Sequence, residues 1–250
     1  MTSTKTRARE RANARRIVEQ QKARERRRAI TLWTVAGVVL ALIAAGLIGY
    51  GMMASQDKAA TGKLSTPSVA VDSGTAFAAG TGPVTIDLYE DFMCPVCRAF
   101  ETADGATLKQ LIAENKVTVR YHPVAILDSS SNGTNYSTRA AGAAAAAAQA
   151  GKFAAYHEAL YANQPAEGSD GLSNARLIDL GKTVGLTGSD FADAVNSGRY
   201  NAWADQATET FSQRGYTFTP SIVIAGKLYQ STQHAYPTPA ELTSLAAAAP

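Results

Sequence analysis

The stretch Phe92-Met-Cys-Pro-Val-Cys-Arg-Ala-Phe100 contains the only two cysteines of the chain, Cys94 and Cys97. It follows Pro83-Val-Thr-Ile-Asp-Leu-Tyr-Glu90, where apolar and polar residues alternate in the way that is typical of a strand. A helix is predicted from Cys94 to Asn115. Cys94 would therefore lie at a helix N-terminus, where unpaired amides and a partial positive charge stabilise a thiolate. The spacing of two residues also allows Cys97 to close an intramolecular disulfide.

Three interpretations of this motif compete. A zinc site normally needs four ligands, but the chain has no second cysteine pair, and none of His122, His157 and His234 lies at ligand spacing to another. A purely structural disulfide would close a very short loop, which constrains the unfolded chain little. Thiol–disulfide exchange needs a stabilised thiolate beside a second thiol, so the motif favours redox chemistry and predicts no metal.

The residues after the motif predict an α/β fold. Lys116-Val-Thr-Val-Arg-Tyr-His122 is predicted to be a second strand, and the order strand–helix–strand favours a right-handed parallel unit. A helical block follows, predicted over Thr138 to about Ala162, about Ser173–Val184 and Asp190–Arg214. The chain then continues as a short buried strand, a hairpin turn and a last helix, predicted at Ser221-Ile-Val-Ile-Ala225, at Gly226-Lys227 leading into residues 228–230, and at Pro239–Ala248.

The N-terminal part of the chain differs in charge from the rest. Residues 1–28 hold eleven basic and three acidic side chains, a net charge of +8, whereas the other 222 residues hold 13 basic and 18 acidic ones, a net charge of −5. The total of +3 therefore joins two unlike parts, and the chain is not expected to bind nucleic acid. A basic tail of residues 1–29 next to an apolar segment is typical of a cytoplasmic flank that also contacts anionic lipid.

That apolar segment, Ile30 to Ala54, has no charged residue. At about 1.5 Å per helical residue it crosses a hydrocarbon core of roughly 30 Å, which predicts one transmembrane helix over 30–54. A cleaved signal peptide is the alternative, although its apolar core usually runs only ~7–15 residues. Residues 55–80 are rich in Ala, Ser, Thr and Gly and are predicted to be a flexible linker, so the folded unit is expected over 81–250.

A second motif places Thr219-Pro220 just before the buried strand, where a proline is tolerated. Together with the cysteine pair at a strand–helix junction, it resembles the thioredoxin superfamily. That resemblance implies a cis Pro220, with Thr219 flanking the disulfide and both contacting the substrate chain. The helical block resembles the inserted domain of the DsbA family, closest to membrane-anchored DsbA-like proteins of actinobacteria. The implied fold is a thioredoxin fold with a helical insertion over about 128–214, preceded by one transmembrane helix.

The resemblance also implies a function. The chain would be an extracytoplasmic, membrane-anchored thiol–disulfide oxidoreductase in which Cys94 is the exposed nucleophile and Cys97 its buried partner. It would need no cofactor, oxidise exported cysteine-containing proteins, and be reoxidised by a quinone-linked membrane oxidase of the DsbB or vitamin K epoxide reductase type. The alternatives are a reductase or isomerase of the same fold, and a non-catalytic binding module with a structural disulfide.

The sequence departs from the family at two points. The dipeptide between the cysteines is Pro95-Val96, whereas strongly oxidising members have Pro-His, and valine cannot hold a thiolate as an imidazolium can. Many thioredoxin-like proteins keep a buried acid six residues before the first cysteine, where this chain has Leu88. Glu90 and Asp91 lie nearby, either as proton relays to Cys97 or as solvated loop acids.

Other polar and aromatic residues have less definite predicted roles. His157 is expected to serve on the surface or in helix packing rather than in catalysis. Four aromatic residues are expected either to border a substrate groove or to belong to the core, namely Trp203, Phe211, Tyr216 and Phe218.

Overall fold

A mixed five-stranded sheet organises the protein. The computed structural model describes residues 64–231 and 235–248, and the strands lie in the order β1-β3-β2-β4-β5. Their bounds are Phe77–Ala79 for β1, Val84–Glu90 for β2, Val117–Pro123 for β3, Ser221–Ile224 for β4 and Lys227–Leu228 for β5.

The central pair of strands confirms the predicted parallel unit. β2 runs parallel to β3, with Val84 opposite Val117. β4 runs antiparallel to β2, with Leu88 opposite Ile222, and β1 runs antiparallel to β3. The cysteine motif follows the end of β2, and Thr219-Pro220 directly precedes the start of β4. These two strand ends are neighbours in the sheet, with Tyr89 opposite Ser221.

Seven helices surround this sheet in the described part of the chain. The first, α1, follows β2; α2 to α6 lie between β3 and β4 and form the inserted subdomain; α7 ends the fold and packs on α1. Their bounds are Pro95–Ala113 for α1, Tyr136–Gln149 for α2, Phe153–Ala162 for α3, Asn174–Thr183 for α4, Ser189–Ser197 for α5, Asn201–Gln213 for α6 and Pro239–Ala248 for α7, with a short 3₁₀ turn at Asp128–Ser130.

Alternation along β2 divides the core between the two faces of the sheet. Ile86 and Leu88 point to one face, where they pack with Phe100 of α1 and Leu242 of α7. Tyr89 points to the other face and packs with residues that include Phe211 of α6. Because helices cover both faces of the sheet, the residues that follow the end of β2 are buried as well.

The inserted subdomain has its own core around α2. The run Ala140–Ala148 is buried, and its small side chains let α3, α5 and α6 approach closely. At Gly142 a Cβ atom would lie 2.6 Å from Asn201 Oδ1, so this contact leaves no space for a larger residue.

Two predicted helices are each divided into two. The helix expected over Thr138 to Ala162 is interrupted between α2 and α3, where Gly151 has a φ of 70°. The one expected over Asp190–Arg214 is interrupted between α5 and α6, where Gly198 has a φ of 62°. A left-handed glycine is a common helix terminus, and both residues end their helices in this way.

The predicted linker 55–80 ends too late. Residues 64–80 belong to the fold, because β1 pairs with β3 and its Phe77 is buried against Trp203. Three residues are too few to show a strand pattern, and their pairing partner lies far along the chain. The predicted tail 1–29, the predicted span 30–54 and residues 55–63 lie outside the described residues. Among the helices that are described, none has the length and apolar character needed to cross a bilayer.

Candidate active site

The two cysteines lie at the N-terminus of α1, as predicted. Cys94 is the N-cap residue and Pro95 begins the first turn. The sulfur of Cys94 accepts a hydrogen bond from the Cys97 backbone N–H at 3.4 Å, so one of the unpaired amides of the helix terminus is directed at it. Cys94 keeps 5% of its surface exposed and Cys97 none, and both are free thiols. Cys97 is buried as expected, but Cys94, which was expected to be exposed, is itself buried by the residues around it.

The loop before β4 faces Cys94. The Thr219–Pro220 peptide bond is cis, as the resemblance implied. The Cys94 thiol donates to the Thr219 carbonyl oxygen at 3.3 Å, across 125 residues of sequence. The fold thus brings both sequence motifs to one place.

A residue of the inserted subdomain completes this site. Gln164 lies just after α3, and its Nε2 donates to the Cys94 carbonyl oxygen at 2.9 Å. Nothing in the sequence singles out this residue, because its partner is a backbone atom 70 residues away.

The two thiols differ in acidity. A hydrogen bond from the Cys97 thiol lowers the pKa of Cys94 to about 6. Partial burial opposes this effect, whereas the side chain of Thr219 and the backbone N–H groups of Cys97 and Val96 add to it. Burial, together with the neighbouring Cys94 sulfur, raises the pKa of Cys97 well above its usual range. Near neutral pH the pair is therefore a thiolate beside a thiol, which is the state that attacks disulfides.

The two acids before the motif are completely buried, which corrects the alternative that they are solvated loop acids. Asp91 accepts hydrogen bonds from the backbone N–H groups of Met93 and Leu127 and from the hydroxyl of Ser137, at 2.8, 2.9 and 2.6 Å. Burial nevertheless raises the pKa of Asp91 to about 7. Its contacts tie the active-site loop to the inserted subdomain.

Glu90 has a different environment. Its Oε1 is hydrogen bonded to His157 Nε2, whereas its Oε2 is buried without a partner among the described residues. His157 is buried too, so the expected surface role is wrong, while helix packing is confirmed by its ring contacts with Phe92 and Tyr161. The alternation of the strand ending at Glu90 could have indicated its burial, but the pairing with a residue 67 positions later could not be read from the sequence.

Glu90 and His157 belong to one of two groups, among the described residues, whose metal-ligating atoms lie close together. The first group is Glu90, Glu101 and His157, and its ligating atoms lie within 4.8 Å of one another. The second is Asp72, Asp87 and His122, where guanidinium groups of Arg120 and Arg214 already bind the carboxylates. In the first group His157 and Glu90 are in direct hydrogen-bonding contact, so the arrangement fits protons better than an ion.

The surface around Cys94 is partly apolar. Val96, in the first turn of α1, is 38% exposed, and Phe218, in the loop before β4, is 46% exposed. A groove of about 750 Å³ adjoins the first turn of α1 and is lined by residues that include Pro95, Arg98, Thr102, Gln164 and Glu167. Of the four aromatic residues left open by the sequence, Trp203 and Phe211 belong to the core, Tyr216 packs on Tyr89, and only Phe218 is exposed beside the site.

Comparison with known proteins agrees with this geometry. Residues 73–244 match the family model described as thioredoxin. The chain belongs to the thioredoxin family. DsbA of Mycobacterium tuberculosis in its reduced form is 32% identical, with a TM-score of 0.60 over 69% of this chain and 91% of that one. The reduced disulfide bond oxidoreductase DsbG of the same organism is 33% identical, with a TM-score of 0.58 over 72% and 83%.

This chain is thus a DsbA-like thiol–disulfide oxidoreductase with a thioredoxin-like α/β fold and helical insertions. MdbA of Actinomyces oris, a thiol-disulfide oxidoreductase, shares the fold with a TM-score of 0.61 at 22% identity, over 77% of this chain and 93% of that one. A curated relative, the serine/threonine-protein kinase PknE of M. tuberculosis, is 27% identical over 161 residues, 61% of this chain. The chain spans only 28% of that kinase.

Proposed function

We propose that this enzyme is an oxidase of protein thiols, with Cys94 as the nucleophilic sulfur and Cys97 as its partner. The observation that carries the proposal is the difference in acidity between them, since the pKa of Cys94 falls to about 6. A thiolate that is stabilised at neutral pH stabilises the reduced enzyme relative to its disulfide. The disulfide is then a stronger oxidant.

The proposed cycle starts from the Cys94–Cys97 disulfide. A substrate thiolate attacks the Cys94 sulfur, the bond to Cys97 breaks, and Cys97 leaves with the electron pair. The second substrate thiolate then attacks the mixed disulfide, releasing the oxidised substrate and the Cys94 thiolate. The substrate loses two electrons and the enzyme gains them, so no cofactor takes part.

The reduction potential of the pair tests the direction. Equilibration with glutathione buffers should give a value well above that of thioredoxin, about −270 mV. A value near or below that figure would identify a reductase and sink the oxidase proposal. An intermediate value combined with efficient repair of a scrambled substrate would favour an isomerase.

Substrate contacts are proposed at the loop that faces Cys94. Thr219 and Pro220 offer backbone atoms to an extended chain, since the Thr219 carbonyl already accepts a hydrogen bond from Cys94. In the active-site motif, Pro95 and Val96 complete the surface together with Phe218. Cys97→Ser should accumulate mixed disulfides with exported cysteine-containing proteins, whereas Cys94→Ser should accumulate none; equal trapping by both variants would contradict the assigned roles.

We further propose that residues 30–54 anchor the enzyme in the cell membrane as one span in contact with lipid. The basic residues 1–29 would be cytoplasmic and the domain extracytoplasmic, since the positive flank precedes the apolar segment. In intact cells, a membrane-impermeant maleimide should label Cys94 in the reduced enzyme. Labelling only after lysis would reverse the topology.

The electrons that the enzyme gains must leave it, and we propose a quinone-linked membrane oxidase of the DsbB or vitamin K epoxide reductase type as acceptor. An enzyme anchored in the membrane and an oxidase embedded in it would meet at the same membrane surface, which supports this partner. Depleting quinone should shift the Cys94–Cys97 pair toward thiols in a thiol-trapping assay. A pair that stays oxidised would require another acceptor.

A further inference from the structure

The inserted subdomain contacts the active-site turn at two backbone carbonyl groups. The turn runs from Asp91 to Cys94 and is closed by the Cys94 N–H, which donates to the Asp91 carbonyl oxygen at 2.9 Å. From α3, the Tyr161 hydroxyl donates to the same oxygen of Asp91 at 3.4 Å. From just after α3, Gln164 Nε2 donates to the Cys94 carbonyl oxygen at 2.9 Å. The end of α3 therefore holds the backbone on both sides of the Cys94 Cα atom.

The bond rotation between these two contacts decides where the Cys94 sulfur lies. Cys94 caps α1 with an extended backbone, at a φ of −72° and a ψ of 116°. The ψ rotation is about the Cα–C bond. The sulfur lies on one side of this bond, and the Cys94 carbonyl group and the N–H groups of Val96 and Cys97 lie on the other. The distance of 3.4 Å from the Cys97 nitrogen to the sulfur therefore depends on this angle.

The Cys94 carbonyl oxygen can accept the Gln164 amide without losing its helical partner. It also accepts the Arg98 N–H at 3.2 Å, which is the first backbone hydrogen bond of α1. A carbonyl oxygen has two lone pairs, so the two donors do not compete. Gln164 thus fastens the start of α1 to the inserted subdomain and leaves the helix intact.

Gln164 is itself held at a fixed place. Asn163, the residue before it, donates from its Nδ2 to the Ala159 carbonyl oxygen of α3 at 3.0 Å. Arg176 of α4 donates to Asn163 Oδ1 at 2.8 Å. Pro165 follows Gln164 and restricts its backbone to extended conformations. A side chain on such a support can hold its partner in one position.

We propose that Gln164 is a positioning residue of the disulfide exchange reaction, which holds the Cys94 carbonyl group and thereby keeps the Cys94 sulfur against the N–H groups at the start of α1. The inserted subdomain thus controls the reactivity of Cys94 through the backbone of that residue. The proposal rests on disulfide exchange at Cys94, but it holds for either direction of electron flow.

The acidity of Cys94 agrees with this role. The backbone N–H groups of Cys97 and Val96 are among the contacts that lower the pKa of Cys94 to about 6. They stabilise the thiolate only while the sulfur stays close to them. When the carbonyl group is released, the ψ angle of Cys94 is less restricted, so its pKa should move back toward the ordinary value of 9.0.

Titration of the reduced Gln164→Met variant tests the proposal. Methionine has a similar length but no donor, and Gln164 is only half-buried, so the variant should fold. Thiolate absorbance should show a pKa of Cys94 above about 6. At lower pH, alkylation of Cys94 by iodoacetamide should slow about two- to tenfold, the range expected for the loss of one hydrogen bond. High salt screens the exposed charges of Arg98 and Glu167, which line the groove beside Gln164.

Two further variants complete the experiment. Asn163→Ala is the matched control, because it removes the neighbouring amide, whose hydrogen bonds go to Ala159 and Arg176 and not to Cys94. It should leave the Cys94 titration unchanged. Gln164→Glu keeps the shape of the side chain, and its carboxylate cannot donate. It should raise the pKa of Cys94 at least as far as methionine does, and it replaces Gln164→Met if that variant does not fold.

An unchanged Cys94 titration in a folded Gln164 variant would overturn the proposal, and so would an equal shift in Asn163→Ala. The wild type supplies a test that needs no variant, since the side-chain amide resonance of Gln164 should titrate together with Cys94. An amide resonance that does not follow Cys94 would count against the proposal. A low reduction potential of the wild type would contradict the oxidase proposal and leave this one standing.

Discussion

Cys94 obtains its low pKa without a histidine between the cysteines. The dipeptide is Pro95-Val96, and the valine side chain contributes no charge. The stabilisation comes from the Cys97 thiol, from Thr219 and from backbone N–H groups at the start of α1. Part of this could be predicted, because a cysteine at a helix N-terminus is expected to be acidic. The hydrogen bond from the Thr219 side chain could not, because it depends on how β4 lies beside β2.

Val96→His should lower the pKa of Cys94 below about 6. Val96 is half-exposed, so an imidazolium at this position adds a positive charge next to the thiolate without entering the core. The pH dependence of thiolate absorbance measures this shift. Val96→Gln is the control, since it adds a polar side chain without charge. An equal shift in both variants would show that charge is not the cause.

The stability of the reduced enzyme should rise relative to the oxidised enzyme between about pH 6 and pH 9. The unfolded thiol keeps its proton up to 9.0, whereas folded Cys94 releases it near 6, so the unfolded state binds more protons in this window. The slope approaches about 1.4 kcal/mol per pH unit. Denaturant unfolding of both forms at several pH values gives the difference, in which groups common to both forms cancel. A flat difference would contradict a depressed Cys94 pKa.

The boundaries of helices and strands could be predicted where the local sequence marks them, but not where a single backbone angle decides them. The helix α1 and the strands β2 and β3 were predicted nearly to the residue, because apolar patterns and the cysteine motif mark them. The divisions at Gly151 and Gly198 were missed, since alanine-rich sequence favours helix throughout and the turn depends on one backbone angle. Similarly, no local pattern connects Glu90 to its buried partner His157, 67 residues later.

Gly181→Ala should destabilise the inserted subdomain. A Cβ atom at this position of α4 would lie 2.2 Å from the Phe191 ring of α5, so the two helices would have to move apart. Overpacking of this kind typically lowers the free energy of unfolding by about 1–3 kcal/mol. Denaturant unfolding measures the change. In the Phe191→Leu background the loss should be smaller, and equal losses in both backgrounds would exclude the ring as the cause.

At the scale of the whole molecule, residues 64–80 fasten the N-terminal end of the domain to the rest of it. The Trp203 indole donates to the Gly74 carbonyl, and Asp72 is bridged by Arg214 and Arg120. This segment thus contacts both the sheet and the inserted subdomain. Its composition resembles that of a linker, so only the structure reveals where the folded unit begins.

A domain that begins at residue 64 should therefore be more stable than one that begins at residue 81. The shorter form loses β1 and exposes the apolar surface that Phe77 covers against Phe153 and Trp203. Thermal unfolding should give a Tm several degrees lower for the shorter form, since burial of a phenylalanine contributes roughly 1.5–3 kcal/mol. Equal Tm values would show that residues 64–80 behave as the predicted linker.

The short outer strands have a consequence for an enzyme whose proposed substrates bind as extended chains. A long exposed strand edge can template aggregation by pairing with any extended chain. Here the sheet ends on one side with the three residues of β1 and on the other with the two residues of β5. Few backbone groups in the described sheet are thus offered for such pairing. Incoming chains would meet the enzyme at the exposed side chains beside Cys94 and not along a sheet edge.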